Sequence, residues 1–554
     1  MPEIPQSRTA PAPATPAPDT PATPAVAPPG GFAPLTGRAK RLALAGLMLS
    51  IFVSMLASTV VGTSMPRIIA ELGGTQAAFT WVITGTMLAS AVTTPIWGKL
   101  ADLVNKKFLL QLSLVIFTLG SAFAGMAQDP TWLIVCRIVQ GLGAGGLAAL
   151  GQIVMADIIS PRERGKYMGL MSAVMAVATV GGPLLGGVIT DSIGWRWNFY
   201  VAVPVAVVAI VMLQRTLHLH TVKRPVKIDY LGAALISAGV SSLLIWVTLG
   251  GHQIEWWSVQ SLIMVGGGLI ALVTAVFVEI RAEEPLIPMT LFKNRTFTLS
   301  VVASLSVGVA MFGTSVFLGQ YMQLARGKTP TESGLLTIPM VAGVLIASTL
   351  VGQRISKTGT WKHWMILGGV LLTGGLLLMG TLRYDTSFVL VSVYMALVGA
   401  GVGMTMQNLV LITQNAVAPQ QVGVASSSVT FFRSIGGTAG MSAMGAMLGT
   451  QVAGYITEGI GALSPKDRLG AEALSGGTIP ELHKLTEPIR DVVENAYGHA
   501  IGNVFLAAVP LAVVALIAII WLPNARLGDK TTSQLLAEQE AKRAASLPGT
   551  GIAD

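Results

Sequence analysis

Residues 42–62 read LALAGLMLSIFVSMLASTVVG, a run in which no side chain is charged. The hydrocarbon core of a bilayer is about 30 Å thick, and a helix needs about 20 apolar residues to cross it. The run has this length, and its apolar residues do not alternate with period two, as they do in the strands of a membrane barrel. It therefore predicts a transmembrane α-helix.

Thirteen further runs are similarly apolar and of similar length, although two of them contain one arginine each, and polar segments separate them. They comprise residues 79–97, 108–126, 132–155, 168–189, 197–213, 231–249, 259–278, 297–318, 334–351, 364–382, 388–411, 423–448 and 500–522. We therefore predict an all-α polytopic membrane protein with 14 transmembrane spans.

The composition of the whole chain agrees with this class. Of the 554 residues, 52% are hydrophobic and 11% are charged, whereas soluble globular proteins carry about 25% charged residues. These values exclude a soluble multidomain protein, a collagen, a coiled coil and a disordered chain. The single cysteine, Cys136, excludes an intrachain disulfide and a multi-cysteine metal site.

The charged residues predict the orientation of the spans. If the N-terminus is cytoplasmic, the cytoplasmic segments hold 24 Lys and Arg and the outer loops hold nine. Cytoplasmic loops of membrane proteins carry an excess of Lys and Arg, so we predict that both termini are cytoplasmic. The same rule accounts for the net charge of +9, so nucleic-acid binding is not predicted. The other two, Arg137 and Arg433, lie within apolar spans, whereas all 26 Asp and Glu lie in tails, loops or span edges.

The chain divides into five segments. Residues 1–36 are dense in Pro, Ala and Thr, which predicts a disordered cytoplasmic tail without a signal peptide. An N-terminal six-helix half follows at residues 37–215, and then a linker with two inserted transmembrane helices at residues 216–296. A C-terminal six-helix half comprises residues 297–525, and a cytoplasmic tail with a short surface helix comprises residues 526–554. A long, net acidic outer loop is predicted at residues 450–497.

Two basic loops indicate that the halves are repeats. Residues 98–107 read GKLADLVNKK and residues 352–362 read GQRISKTGTWK. Each begins with Gly at a predicted helix end and follows an even-numbered span. When spans 7 and 8 are left out, both loops occupy the same position in a six-helix half, which indicates an internal duplication with a two-helix insertion, typical of secondary transporters.

Five motifs carry a resemblance to a known family. They are GKLADLVNKK at residues 98–107, RIVQGLGAG at 137–145, GPLLGG at 182–187, EPLIPMTLFKNR at 284–295 and FFRSIGG at 431–437. In this order they resemble signatures of the major facilitator superfamily, and specifically of its fourteen-helix drug:proton antiporter branch, the QacA- and EmrB-like transporters. The resemblance covers about Arg38 to Leu522.

The resemblance implies a monomeric multidrug efflux antiporter in the inner (cytoplasmic) cell membrane, of the kind associated with antibiotic resistance. Its substrates would be amphipathic drugs and dyes, exported by alternating access with protons as the coupling ion. Members of this branch often carry an Asp in span 1, at the position of Ala57 here, so coupling through that residue is not implied. The loop 2–3 motif also has Leu103 and Asn105 where the family prefers Arg and Gly.

Three residues are candidates for transport and coupling. The resemblance implies that Arg137 and Gln140 of span 4 determine how the central cavity accommodates a proton or a charged substrate. The alternative for Arg137 is that its side chain extends to the outer interface. Arg433 lies near the middle of span 13, where a guanidinium must meet carbonyls, water or an anionic substrate. The alternative for Arg433 is a structural arginine bonded to helix-end carbonyls.

Gly182, Pro183, Gly186 and Gly187 form the motif that is similar to the antiporter signature. Glycines permit two helices to approach closely, and proline removes a backbone donor and permits a kink. The resemblance implies the hinge or seal of an exporter, and a generic helix interface of small residues is the alternative.

Candidates for a cytoplasmic gate are Gly98, Asp102, Lys106, Asp157 and Arg164. Charges on this face can pair across it and hold it shut until the two halves rock apart. The alternative is ordinary charge that fixes the topology, since exposed ion pairs contribute only about 0–1 kcal/mol. We favour the gate for Asp102 and Asp157.

Residues within the spans are candidates for a substrate cavity, with a helix–helix contact as the alternative at each position. They are Ala57, Gln152, Phe312, Gln320, Tyr321, Gln407 and Asn408.

No cofactor, metal site or catalytic centre is predicted. A Gly-x-x-x-x-Gly-Lys-Ser/Thr motif does not occur, so ATP is not expected to be the energy source. We find no catalytic triad, paired acid–base carboxylates or metal-ligand cluster, and therefore expect an exporter rather than an enzyme. The alternatives are a dedicated exporter of an endogenous lipid or metabolite, a non-transporting sensor or scaffold, and an importer, against which GPLLGG counts.

Overall fold

The computed structural model describes residues 37–73, 76–217, 229–250, 254–282, 285–328, 330–464 and 485–546. Within these residues the chain forms 17 α-helices and no β-strand. The tail of residues 1–36, predicted to be disordered, lies outside the described residues.

The N-terminal half has seven helices, because the sixth predicted span is divided at Val201. They are α1 (Gly37–Glu71), α2 (Gln76–Leu103), α3 (Lys106–Gly125), α4 (Pro130–Ile158), α5 (Pro161–Ser192), α6 (Arg196–Tyr200) and α7 (Ala202–Thr216). The side chains of Asn105, Asp129 and Ser160 accept hydrogen bonds from N–H groups in the first turns of α3, α4 and α5. Such caps satisfy donors that a helix start leaves free, so they fix where these helices begin.

Two inserted helices, which lie between the two halves in the sequence, pack against each other. They are α8 (Tyr230–Leu249) and α9 (Val259–Arg281). Asp229 caps α8 by accepting a hydrogen bond from Gly232 N, and Ser258 caps α9 in the same way. The pair corresponds to the predicted two-helix insertion.

The C-terminal half also has seven helices, followed by a terminal helix. They are α10 (Arg295–Gln320), α11 (Pro330–Leu336), α12 (Ile338–Thr358), α13 (Lys362–Met379), α14 (Phe388–Ala416), α15 (Val422–Ala462), α16 (Glu487–Trp521) and α17 (Thr532–Ser546). A π-helical turn, Tyr321–Ala325, extends α10, and α11 and α12 together form the tenth predicted span. The helix predicted for the terminal segment is α17.

The packing of one half repeats in the other. In the N-terminal half α1 packs against α5 and α7, and α4 against α2 and α3. In the C-terminal half α10 packs against α15 and α16, and α14 against α12 and α13. This correspondence supports the internal duplication that the two basic loops indicate.

Two seams join the halves, since α5 packs along α12 and α2 packs along α15. The α8–α9 hairpin covers the second seam. One apolar cluster contains Ile236 of α8, Ala275 of α9 and Phe431 of α15, with Val92 of α2 packed against it. The insertion therefore contacts both halves.

One end of the bundle, here called the gate end, contains the ends of α2, α4 and α14 and the starts of α5 and α15. Hydrogen bonds between these termini bring them together. In the predicted orientation the gate end faces the cytoplasm.

Each of the 14 predicted spans coincides with one described helix or with two consecutive ones. Eleven stretches among the described residues are long and apolar enough to cross a membrane. The prediction of an all-α, multi-pass membrane protein is thereby confirmed, whereas the count of 14 crossings and the orientation stay predictions.

Helices occupy both ends of the predicted outer loop at residues 450–497, and residues 465–484 of it lie outside the described residues. That the segment lies outside the membrane stays a prediction. α15 continues to Ala462, and α16 begins at Glu487. Asn503 of α16 donates hydrogen bonds to Gln451 Oε1 and Tyr455 Oη of α15, at 3.1 and 3.0 Å. The two helices therefore stay paired beyond the apolar runs that hydropathy detects.

Candidate transport site and gate

The GPLLGG motif brings α5 into backbone contact with α1. A Cβ at Gly182 would lie 2.0 Å from Thr59 Oγ1, and a Cβ at Gly186 would lie 2.5 Å from Val60 O. Thr59 Oγ1 also donates a hydrogen bond of 2.9 Å to Ala178 O across the same interface. Glycine is required here because no side chain fits between the two helices.

The other two motif residues differ from this pair. A Cβ at Gly187 would meet no neighbouring atom within 4 Å, so this glycine is not needed for packing. Pro183 lies inside α5, and the helix continues through it. The close approach thus depends on Gly182 and Gly186.

A buried polar cluster, which the sequence analysis did not identify, braces this contact. Asn198 Nδ2 donates hydrogen bonds of 2.8 Å to Ser64 Oγ and Thr190 Oγ1, and the two hydroxyls lie 2.7 Å apart. Ser64 also donates to Gly186 O at 3.3 Å. The cluster ties α1, α5 and α6 together, and only the proximity of these helices in the fold reveals it.

Arg137 and Gln140 form a buried unit within α4. Arg137 Nη1 donates to Gln140 Oε1 at 2.6 Å, and the two residues are 5% and 1% exposed. Within the described residues Arg137 Nε and Gln140 Nε2 have no hydrogen-bond partner. Two buried donors are therefore available to an acceptor, such as water or a polar substrate group.

Arg433 is also buried, at the contact between α15 and α10. Its Nη1 donates to Met406 O of α14 at 3.3 Å. A Cβ at Gly308 of α10 would lie 2.2 Å from Arg433 O, so the backbones of α10 and α15 touch here. The bond to Met406 agrees with the structural alternative, in which the guanidinium meets a backbone carbonyl.

Asp102 closes the α2–α15 seam at the gate end. Its two carboxylate oxygens accept hydrogen bonds from Gly423 N and Val424 N, at 3.1 and 3.0 Å. These N–H groups begin α15, where the helix dipole favours a negative charge. A Cβ at Gly98 would lie 1.9 Å from Ser427 Oγ, so Gly98 permits the approach.

The remaining gate candidates are paired with different partners. Lys106 Nζ forms an ion pair of 2.8 Å with Asp157, which fastens α3 to α4 within the N-terminal half. Arg164 of α5 bonds across the halves through Nη1, which donates to Gln414 Oε1, whereas its Nη2 donates to Ile159 O of the same half at 3.0 Å. Gln414 was not among the predicted gate residues, because an amide at a helix end has no distinctive sequence signal.

Gln152 and Gln407, predicted as cavity residues, bond to each other. Gln152 Nε2 donates to Gln407 Oε1 at 2.9 Å, joining α4 to α14 across the halves. Gln414 Nε2 also donates to Gln152 O, at 3.4 Å. These amides extend the closure of the gate end toward the middle of the bundle.

The other cavity candidates occupy different surroundings. Ala57 is 2% exposed within the apolar core of the N-terminal half. Phe312 packs on Gly437, and Asn408 donates to Met404 O of its own helix. In the described part of the chain Gln320 Oε1 has no hydrogen-bond partner.

Tyr321 is fully buried, and its hydroxyl donates to Arg383 O at 2.7 Å. The hydroxyl proton of Tyr321 is thus already donated to a backbone carbonyl and is not available to a substrate. This contact agrees with the helix-packing alternative for Tyr321.

The C-terminal segment lies over the gate end and contacts both halves. Gly528 N donates to Asn415 Oδ1 at 2.9 Å, and Ser533 Oγ of α17 donates to Asp157 O at 3.2 Å. A cavity of about 380 Å³ lies beside it, lined in part by Arg164 and Lys530. The segment therefore bridges the seam between the halves.

Two repeated helical halves, a close contact of α1 with two glycines of α5, and hydrogen bonds that join the halves at the gate end are typical of a multi-pass membrane transporter. The chain belongs to the Major Facilitator Superfamily, which it matches over residues 47–441. The family resemblance drawn from the motifs is thereby confirmed.

Named relatives and solved structures agree with this assignment. The chain is 38% identical to the multidrug transporter protein MdtP of Bacillus subtilis (strain 168), over 76% of this chain and 77% of that protein. It is 30% identical to multidrug resistance protein 3 of the same organism, over 88% and 96%. The structure of the human organic anion transporter MFSD10 has the same fold, with a TM-score of 0.57 and 13% identity over 85% of this chain and 99% of that one.

Proposed function

We propose that this transporter exports amphipathic small molecules, such as drugs and dyes, by alternating access driven by the proton gradient. It would act as a monomer in the cytoplasmic membrane, with 14 spans and both termini in the cytoplasm. The names of the two Bacillus relatives support a multidrug substrate range. Their similarity extends over most of this chain.

The observation that carries the proposal is the backbone contact between α1 and α5 at Gly182 and Gly186. Because α5 has no side chain at these two positions, we infer that it can pivot against α1 with little steric resistance. It belongs to the motif that resembles the antiporter signature, and the Ser64 and Asn198 bonds fix its register. These features support export rather than import.

In this conformation the gate end is closed. Asp102 on the start of α15, Arg164 on Gln414 and Gln152 on Gln407 each join the two halves. Opening toward the predicted cytoplasmic side must break all three contacts. Substrate would enter then, and the contacts would re-form as the halves rock back.

The proposal is tested with the purified protein in sealed vesicles under an imposed pH gradient. An inwardly directed proton gradient is expected to drive uphill efflux of a fluorescent amphiphile, and a protonophore is expected to abolish it. Equal fluxes with and without the gradient would remove proton coupling and leave facilitated transport. No flux of any of several dyes would favour the sensor alternative.

A further inference from the structure

A pair of carboxyl groups lies where the α8–α9 hairpin meets the rest of the bundle. Glu279, in the last turn of α9, is 2% exposed, and its Oε2 accepts a hydrogen bond of 3.1 Å from Ile287 N. Asp229 accepts one of 2.8 Å from Gly232 N through Oδ1. Within the described residues the other oxygens, Glu279 Oε1 and Asp229 Oδ2, are buried without a hydrogen-bond partner.

The two unpartnered oxygens face the same point. A Cβ at Gly232 would lie 2.5 Å from Asp229 Oδ2 and 2.7 Å from Glu279 Oε1. The oxygens are therefore separated by less than the sum of these distances. Two buried carboxylates this close disfavour each other's ionisation, whereas one proton held between them satisfies both.

The surroundings provide limited counter-charge. From α2, the buried Lys99 interacts electrostatically with Glu279 and also with Asp102 of the gate. From α15 the neighbour is Phe431, and the segment after α9 contributes Leu286 and Ile287 to the same apolar cluster. Among the described residues named here, Lys99 is thus the one positive charge near the carboxyl groups of Asp229, Glu279 and Asp102.

We propose that Asp229 and Glu279 form a proton-binding site of this transporter, with one proton shared between Glu279 Oε1 and Asp229 Oδ2. The inference rests on the proposed proton coupling and names where the proton binds. On release, the proton passes to water at the gate end, and Lys99 balances the charge that stays on the pair. The site supplies a buried carboxyl at the edge of the spans, whereas Ala57 supplies none within span 1.

The position of the pair couples it to the gate. Lys99 interacts with both Glu279 and Asp102, so deprotonation of the pair draws Lys99 toward Glu279 and weakens its attraction to Asp102. The hairpin also packs on both sides of the α2–α15 seam. Opening of that seam therefore changes the burial of the pair, and with it the proton affinity.

A substitution at Gly232 tests the geometry of the pair while both acids stay in place. Gly232→Ala places a methyl group against both unpartnered oxygens and forces them apart, so ΔpH-driven dye efflux from vesicles is expected to fall. Gly267→Ala of α9 is the matched control, because a Cβ there meets no neighbouring atom within 4 Å. Equal coupling in both variants would contradict a shared proton.

The direct experiment measures protonation of the purified full-length protein by infrared spectroscopy. The wild type at neutral pH is expected to show a protonated-carboxyl band that E279Q loses and that E255Q, a change of an exposed acid at the other end of the hairpin, retains. Identical spectra of wild type and E279Q would overturn the inference. A band that appears only after chelation of divalent cations would assign a cation to the pair instead and would overturn it too.

The same proteins are then compared in vesicles under a pH gradient. E279Q and D229N are expected to lose ΔpH-driven efflux while gradient-free dye exchange persists, and Asn at position 229 can still cap α8. If the wild type is uncoupled, the proposed coupling fails, whereas the infrared difference still decides whether the pair holds a proton. If the wild type is coupled and E279Q is equally coupled, the coupling stands and this site is wrong.

Discussion

Gly186 and Gly187 are adjacent in sequence, but a side chain would meet opposite conditions at the two positions. A Cβ at Gly186 would lie 2.5 Å from Val60 O, whereas a Cβ at Gly187 would meet no neighbouring atom within 4 Å. A backbone oxygen cannot move aside as a flexible side chain can. Gly186→Leu must therefore push α5 away from α1.

We predict that Gly186→Leu abolishes dye efflux in vesicles and that Gly187→Leu transports at near the wild-type rate. Both variants add the same side chain to the same helix, so a difference between them reports the α1–α5 contact. Expression and thermal unfolding are measured alongside. Wild-type transport by a folded Gly186→Leu protein would return the motif to an ordinary helix interface.

The predicted gate residues show what sequence can provide at the scale of single residues. Charge and span position selected Asp102 and Asp157 as gate candidates, but the ion pair of Asp157 with Lys106 lies within the N-terminal half and does not cross the gate. The partners of Asp102 are backbone N–H groups of Gly423 and Val424, which have no sequence signature. Glu279 escaped selection because it lies at a span edge in sequence, and only packing of the hairpin against the bundle buries it.

At the scale of elements, α17 links the two halves across the gate end. Ser533 of α17 donates a hydrogen bond to Asp157 O in the N-terminal half. Gln420, which lies just before α15 in the C-terminal half, donates one to Gln539 of α17. A single hydrogen bond contributes about 1 kcal/mol, or about fivefold in an equilibrium. Loss of α17 therefore favours the open gate by about this factor or more.

We predict that truncation after Lys530 speeds hydrogen exchange at the starts of α5 and α15 by about fivefold. Truncation after Ser546 keeps α17 and serves as the control. Exchange that is equal in the two truncated proteins would show that α17 lies on the gate without holding it.

Apolar runs predicted the helices well because a transmembrane helix must satisfy its backbone within itself and cover itself with apolar side chains. Where a helix leaves the apolar region this constraint ends. α15 and α16 continue as a pair beyond their apolar runs, where a Cβ at Gly459 would lie 2.5 Å from Val492 Cγ1. Hydropathy therefore does not mark where these two helices end.

At the scale of the whole molecule, the proposed alternating access requires the two halves to separate at the gate end. A Cβ at Gly98 would lie 2.3 Å from Ser427 Cβ. A disulfide separates its two Cβ atoms by about 3.8 Å, so α2 and α15 must part by about 1.5 Å to admit one. Such a bond would lock the closed gate.

We predict that Gly98→Cys/Ser427→Cys, in a Cys136→Ser background, forms this disulfide under oxidation and stops efflux, and that reductant restores it. Each single-cysteine variant is the control for the substitution itself. Full transport by the oxidised double variant would mean that this seam need not open.

The charge of the interior is expected to select among substrates. Arg137 and Arg433 are buried, and their hydrogen bonds go to Gln140 Oε1 and Met406 O rather than to carboxylates. At an effective dielectric near 20, a like charge at about 8 Å costs about 2 kcal/mol, which is roughly thirtyfold in affinity. A permanent cation in the path between these arginines is disfavoured by about this amount.

We therefore predict that neutral, zwitterionic or anionic amphiphiles compete better for transport than ethidium-type dications of similar size. Arg137→Gln is expected to raise the affinity of the dication and to leave that of a neutral dye nearly unchanged. Arg215→Gln, at the exposed end of α7, removes the same charge away from the interior and serves as the control. Tighter binding of the dication by the wild type, or equal effects of the two substitutions, would contradict selection by the buried arginines.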